Sequence, residues 1–428
     1  MMTGINGLKN FLDASVSAYH ATYELVKMLA AAGYTQLHEH EEWNLVRGGK
    51  YYMVRGGTTM LAFRVPEGNP TGFMMSACHT DRPTFKFKGY GELKGPNYTR
   101  LSVERYGGML IAPWMDRPLS LAGRVLVDTE NGVKAKLLNV DRDLMMMPNV
   151  AIHMNRSAND GYKWNLVTDT VPLLGSKDAA DKLWPLLEQE AGGKILGYDL
   201  YLYVRQKASV WGIDNEYISS AALDDLECAW GCTQGFLNAK ETDSIPVLCC
   251  FDDEEVGSNS PQGAASTILE FTLERICDAL DVDIHRMLAQ SFMVSADNAH
   301  AIHPNHPELA DPGNAPQMGN GVVIKFNASQ RYTTDGVSCA VFSKICDKVG
   351  VPVQFFCNRS DIMGGSTLGH ISLTHVSVPT VDLGLAQLAM HSCYETAAVA
   401  DVAYLETAMA AFYSTTLEVT KDGGCTIR

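Results

Sequence analysis

"SIPVLCCFDDEEVGSNS", residues 244–260, decides how this chain is read. An apolar run from Val247 to Phe251 delivers four consecutive carboxylates, Asp252, Asp253, Glu254 and Glu255, and then, one residue on, Gly257. The run has the length and β-branched or aromatic character of a buried strand. Adjacent negative charges repel one another and resist leaving water, so the stretch is either a strand running into a solvated loop or one edge of a cation site. The rest of the chain has to decide.

Working outward, the flanks alternate between strand-like and helix-like segments. "IPVLCCF", "SFMVSAD", "GVVIKFNAS", "PVQFFC" and "SVPTVDLG" are separated by "GAASTILEFTLERICDAL", "DGVSCAVFSKICDKVG" and "TAAVADVAYLETAMAAFYSTTLEVTK". That alternation predicts a mixed, mostly parallel sheet flanked by helices. Residues 4–33 read as helix from the spacing of Leu8, Phe11, Leu12, Val16, Tyr19 and Leu25, and Gly56-Gly57 as a hairpin turn. From about residue 90 the pattern becomes short apolar–polar alternations with Gly, Pro and Asn turns, which predicts antiparallel strands up to about residue 218. At Ser219-Ser220, a candidate N-cap, the texture returns to helix in "AALDDLECAWGCTQGFLNA". The expected organisation is therefore an α/β domain of residues 1–89 and 219–428, interrupted by a β-rich domain of residues 90–218.

Ligand-type side chains recur where these elements end. "CHTD" closes a strand with His79 and Asp81, the capped helix opens with Asp224 and Asp225, "MVSAD" ends in Asp297, and "LAQLAMHS" ends in His391. Sites in open α/β sheets form at such strand ends. Mixed His and carboxylate donors suit Zn²⁺ or a similar divalent ion, and this set is large enough for two. A lone His or helix-start Asp usually serves packing or the helix dipole; repetition at successive ends favours the cation.

Composition narrows the classes. A formal net charge of −15 over 428 residues disfavours nucleic acid and anionic membranes as partners, and no apolar run reaches a membrane span's length. The first twenty residues lack a signal peptide's apolar core, because Lys9, Asn10 and Asp13 interrupt them. The 11 cysteines include no close CxxC pair, so reduced thiols and a cytoplasmic setting are expected.

The order His79-Thr80-Asp81, Asp224, Glu254-Glu255, Asp297, His391 resembles the co-catalytic two-zinc metalloaminopeptidases, and specifically the aspartyl aminopeptidase family. "SACHTDRPTFKFK", "WMDRPLSLAGRV", "VAIHMNR", "ISSAALDDLECAW", "DDEEVGSNSPQGA", "SADNAHAIHPNHPE", "NASQRYTTDG" and "VDLGLAQLAMHSCYE" carry the resemblance. It implies a zinc-peptidase-like fold with an inserted dimerisation domain, and two divalent ions per subunit, zinc first, with cobalt or manganese as alternatives. His79 and Asp297 would serve one ion, Glu255 and His391 the other, and Asp224 both. Asp81 would orient His79, Glu254 would be the general base, and His153 would reach a neighbouring subunit's active site. The resemblance further implies peptides with a free N-terminus as substrates and a homo-oligomer, a dodecamer. An acidic first residue needs a basic pocket, for which Lys325, Arg331 and Arg359 are candidates, with Gly365 and Ser366 of "GGSTLGH" beside the substrate. His300, His303 and His306 have metal-like spacing, but Pro304 interrupts any helix there, and loop packing is the expected role.

Overall fold

The computed structural model describes residues 4–362, 364–365 and 367–428. Its centre is a nine-stranded mixed sheet in the order Thr35–Leu37, Lys50–Arg55, Thr59–Arg64, Ile245–Phe251, Phe73–His79, Phe292–Ala296, Thr380–Gly384, Val322–Phe326 and Val353–Cys357. Four central strands, Ile245–Phe251, Phe73–His79, Phe292–Ala296 and Thr380–Gly384, run parallel. Every residue of these four strands is buried, which explains why they read as continuous apolar runs rather than alternations.

Helices cover both faces. Leu223–Asn238, Val399–Tyr413, Gly336–Val349 and the N-terminal pair pack on one side, and Ile268–Leu280 packs on the other. Leu223–Asn238 and Val399–Tyr413 cross closely because position 235 is glycine: a Cβ there would lie 2.4 Å from Met409 Cβ and 2.8 Å from the Ala410 nitrogen. This crossing anchors the helix whose first turn carries Asp224.

The middle of the chain forms a separate six-stranded antiparallel sheet, ordered Gly132–Asn139, Leu119–Thr129, Ile195–Val204, Thr84–Lys94, Tyr98–Tyr106 and Leu173–Ser176. Helix Leu183–Ala191 contributes Leu183, Leu187 and Ala191 to its core. The sheet starts at Thr84, only a few residues after His79.

Three local expectations are corrected. The N-terminal helix is two helices, Gly4–Ala14 and Ala18–Ala31, because the Ser17 side chain accepts the His20 N–H and starts a new helix. Ser219 and Ser220 do not cap the Asp224 helix; they end strand Tyr217–Ser220, and Ala222, at φ 57°, is the N-cap. That strand also leaves the inserted sheet, pairing instead with Glu395–Ala398 in a five-stranded sheet with Ser209–Trp211, Ala386–Leu388 and Ala299–His300.

Candidate metal centre

Three neighbouring parallel strands end side by side, and their C-terminal ends supply Glu254-Glu255, His79 and Asp297. Phe251 pairs with His79, so the acidic turn begins beside the histidine. Asp224 enters from the start of its helix, where residues 224 and 225 depart from helical φ/ψ, and His391 from a turn at φ 64°.

Asp224 sits between the two histidines. Its Oδ1 lies 3.5 Å from His79 Nε2 and its Oδ2 3.5 Å from His391 Nε2. His391 Nε2 is also 3.4 Å from Glu255 Oε2. Donor atoms lying within 4.8 Å of one another fall into three sets: His79, Asp224 and Asp297; Asp224, Glu255 and His391; and His79, Glu254 and Glu255. The first two share Asp224. The histidines differ in access, with His79 1% exposed and His391 36%, so the site opens on the His391 side.

The residues fit a divalent ion. Asp224 Oδ1 and Glu255 Oε1 are buried without a hydrogen-bond partner, an arrangement that costs free energy unless a cation takes them. Burial, reinforced by neighbouring carboxylates, raises Glu254 to about 8 and holds Glu255 and Asp297 above the usual carboxylate range. Burial opposes ionisation of Asp224 too, but the facing imidazoles of His391 and His79 pull its pKa below the usual carboxylate range. Burial would likewise depress His79; Asp224 and Asp81 outweigh it and raise its pKa. Nitrogen and carboxylate donors of this kind suit zinc.

Asp81 ties the cluster together. Its Oδ1 lies 3.3 Å from His79 Nδ1 and accepts the Glu254 N–H at 3.2 Å, while Oδ2 accepts the Glu255 N–H at 3.1 Å. The Asp81 backbone carbonyl is also 3.3 Å from His79 Nδ1. Tyr106, at the end of an inserted-sheet strand, brings its hydroxyl to 2.7 Å from Asp81 Oδ2 and 2.8 Å from Asp253 Oδ1. Next to it, Gly107, at φ 75°, passes so close that a Cβ would meet Glu255 Cβ at 3.1 Å. The inserted sheet thus forms part of the site wall.

The family model described as Aminopeptidase I zinc metalloprotease (M18) matches residues 11–413. The chain belongs to this family. It is therefore a metalloaminopeptidase, a hydrolase. It is 42% identical over 424 residues to the "Probable M18 family aminopeptidase 2" of Clostridium novyi, covering 96% of this chain and 98% of the relative. Among solved structures it is similar to the chain in the Ape4 and Nbr1 complex, at TM-score 0.92 and 34% identity, covering 95% of this chain and 84% of that one. It shares its fold with the S. cerevisiae mApe1 dodecamer at TM-score 0.85 and 24% identity, covering 95% of each chain.

The remaining expected residues of the M18 chain are distributed as follows. Lys325 is 2% exposed; its Nζ donates to the Asp297 carbonyl at 2.6 Å and lies 3.6 Å from Asp297 Oδ2. Burial pulls its pKa down, but Asp297 and Asp382 more than offset this. Its ammonium is already engaged, so any acidic substrate group would share it with Asp297. Arg331 donates to the Gly364 carbonyl at 3.1 Å and lines a cavity of about 850 Å³ with Arg359, which pairs with Asp361 at 2.6 Å. Gly365 lines an adjoining cavity of about 310 Å³ with His300, which ends the short strand Ala299–His300, and with the loop residues His303 and His306. Ser366 lies outside the described residues. His153 is exposed in the inserted region, and among the described residues no interaction joins it to the cluster. Sequence reasoning missed Tyr106, whose run reads as ordinary strand alternation, and Glu395, whose only signal is a carboxylate four residues after His391.

Proposed function

We propose that this M18 aminopeptidase removes N-terminal residues from peptides with two divalent ions, zinc in the first instance and cobalt or manganese as substitutes. One ion would be held by His79, Asp297 and Asp224, the other by Glu255, His391 and Asp224. The shared position of Asp224, one carboxylate oxygen facing each histidine, carries this reading. When bound, such ions lower the pKa of water to about 7 and polarise a carbonyl oxygen.

The chain's own residues do the rest. Glu254 is the carboxylate left over when the two sets that share Asp224 are filled. It accepts the proton of the attacking water and returns it to the leaving amine, assistance worth about 10²–10⁴-fold. Asp81 holds the His79 ring so that Nε2 presents its lone pair to the site. The substrate's free α-amino group binds one ion or a nearby carboxylate, which accounts for action at the N-terminus.

The reading extends to assembly. His153 lies away from its own subunit's cluster, which supports a role at a neighbour's site in a homo-oligomer. The exposed Val150, Ile152 and Met154 around it are suited to contact with another subunit. A dodecamer, as in the S. cerevisiae mApe1 assembly, is the proposed form, with the inserted region as the assembly element. Acidic N-termini are the proposed preference, read by Arg331 or by Lys325 shared with Asp297; neutral or basic N-termini are the alternative.

Hydrolysis of free-amine dipeptides beginning with Asp, Glu, Leu, Lys or Ala, by chelated enzyme with and without added Zn²⁺ or Co²⁺, tests both parts. Metal-restored cleavage fastest on Asp or Glu supports the full proposal. Restored cleavage favouring Leu or Lys keeps the mechanism and removes the acidic preference. No cleavage with any metal sinks the proposed mechanism.

A further inference from the structure

The two sides of the proposed metal pair are built differently. His79 and Asp297 stand at the ends of paired central strands, whose ladders fix their backbones. Asp224 and His391 have no such support: Asp224 has φ −82° and ψ 105°, and His391 has φ 64°. One side chain replaces the missing ladder. Glu395, 1% exposed, accepts the Asp224 N–H on Oε2 at 3.0 Å and the His391 N–H on Oε1 at 2.7 Å.

We infer that Glu395 is a positioning residue that sets the spacing between Asp224 and His391, and so the geometry of the second ion's site. The inference rests on the two-ion reading above. Both oxygens of Glu395 are occupied by backbone donors and it joins none of the three donor sets, so it acts through the ligands rather than as one. Its own backbone is held by the strand that leads into the Asp224 helix, through the pairing of Ser220 with Glu395. The half-buried guanidinium of Arg82 is under the electrostatic influence of both Asp81 and Glu395.

Glu395→Gln separates this role from general packing. A Gln side chain has one acceptor oxygen, so it keeps one backbone donor and turns its NH₂ toward the other. Metal-free protein is titrated with Zn²⁺ against a chromogenic chelator, together with melting of the metal-free form and dipeptide turnover. The expected result is that the His391-side ion, which loses the positioning of both Asp224 and His391, weakens about 10–100-fold while the His79-side ion, which shares only Asp224, weakens clearly less, with turnover falling through kcat more than KM. Glu395→Asp, which keeps both acceptor oxygens on a shorter stem, is the second variant if Gln does not fold, and is expected to show the same selective loss to a smaller degree. Wild-type affinity for both ions overturns the inference, as does an equal loss at both that tracks a lower metal-free melting temperature. If the unaltered protein itself binds no ion, the two-ion reading fails instead, which is a different result.

Discussion

Replacing Asp81 by Asn tests how the centre is organised with the least steric disturbance. The carboxylate meets His79 Nδ1 and the Glu254 N–H on one oxygen, and the Glu255 N–H and Tyr106 hydroxyl on the other. Asn keeps a single acceptor oxygen, so on one side its NH₂ must face a buried backbone N–H. Leaving such a donor unpaired costs about 1–3 kcal/mol. Losing the partner of a metal-binding histidine typically weakens metal affinity 10–100-fold, about 1.4–2.8 kcal/mol. Here the lower end is expected, because the Asp81 carbonyl, also 3.3 Å from Nδ1, remains as a second acceptor. Asp81→Asn should therefore fold, melt at a lower temperature without metal, and bind the His79-side ion about 10-fold more weakly in a chelator competition. An Asn variant with unchanged affinity and unchanged metal-free melting would refute the idea that Asp81 fixes the turn and the ring together.

The other predictions use the same assays. Glu254→Gln should retain both ions while kcat drops about 10²–10⁴-fold; a metal-loaded variant with normal turnover removes Glu254 as the base. In metal-free protein Glu254 titrates near 8 rather than at its ordinary 4.5, chiefly through burial. A raised carboxylate pKa means that the folded state holds a proton the unfolded chain releases, so this stability is present below about pH 4.5 and fades toward pH 8. Melting of the metal-free protein should fall across that window while the Zn²⁺-induced rise in melting temperature grows, since metal competes with those protons; parallel curves with and without metal would contradict this. Gly235→Ala, which forces a Cβ against Met409 and the Ala410 backbone, should cost about 1–3 kcal/mol in denaturant melts, and a neutral result would mean the two helices can move apart freely.

The parts of this molecule legible in its sequence are those that local rules govern. Buried parallel strands announce themselves as unbroken apolar runs, and a polar residue at or just past the end of one stands out of pattern, which is how the proposed ligands His79, Glu255 and Asp297 come to notice; Asp224 at its helix start and His391 in its turn are noticed by recurring with them. What holds those ligands is not local. Tyr106 and Glu395 gain their roles only when segments far apart in sequence converge, and each looks ordinary in its own strand. The break at Ser15–Ser17 was hidden because the apolar spacing continues across it, while the Ser17 cap is a side-chain contact that periodicity does not register. Strand Tyr217–Ser220 alternates like its predecessors, yet its partner lies near residue 396, so the alternation gave the right element and the wrong sheet.

The position of strand Ile245–Phe251 also bears on how the polypeptide is made. It lies between Thr59–Arg64 and Phe73–His79, two strands that precede it by far in the chain. During synthesis at about 5–20 residues per second, these earlier strands wait roughly 10–30 s for the segment that separates them. Throughout that interval their apolar faces and unpaired edges stand open to neighbouring chains, and no ladder joins them until the entire intervening sheet has left the ribosome. An order of assembly in which the centre of the sheet arrives late leaves unfinished strand edges open to aggregation for that interval.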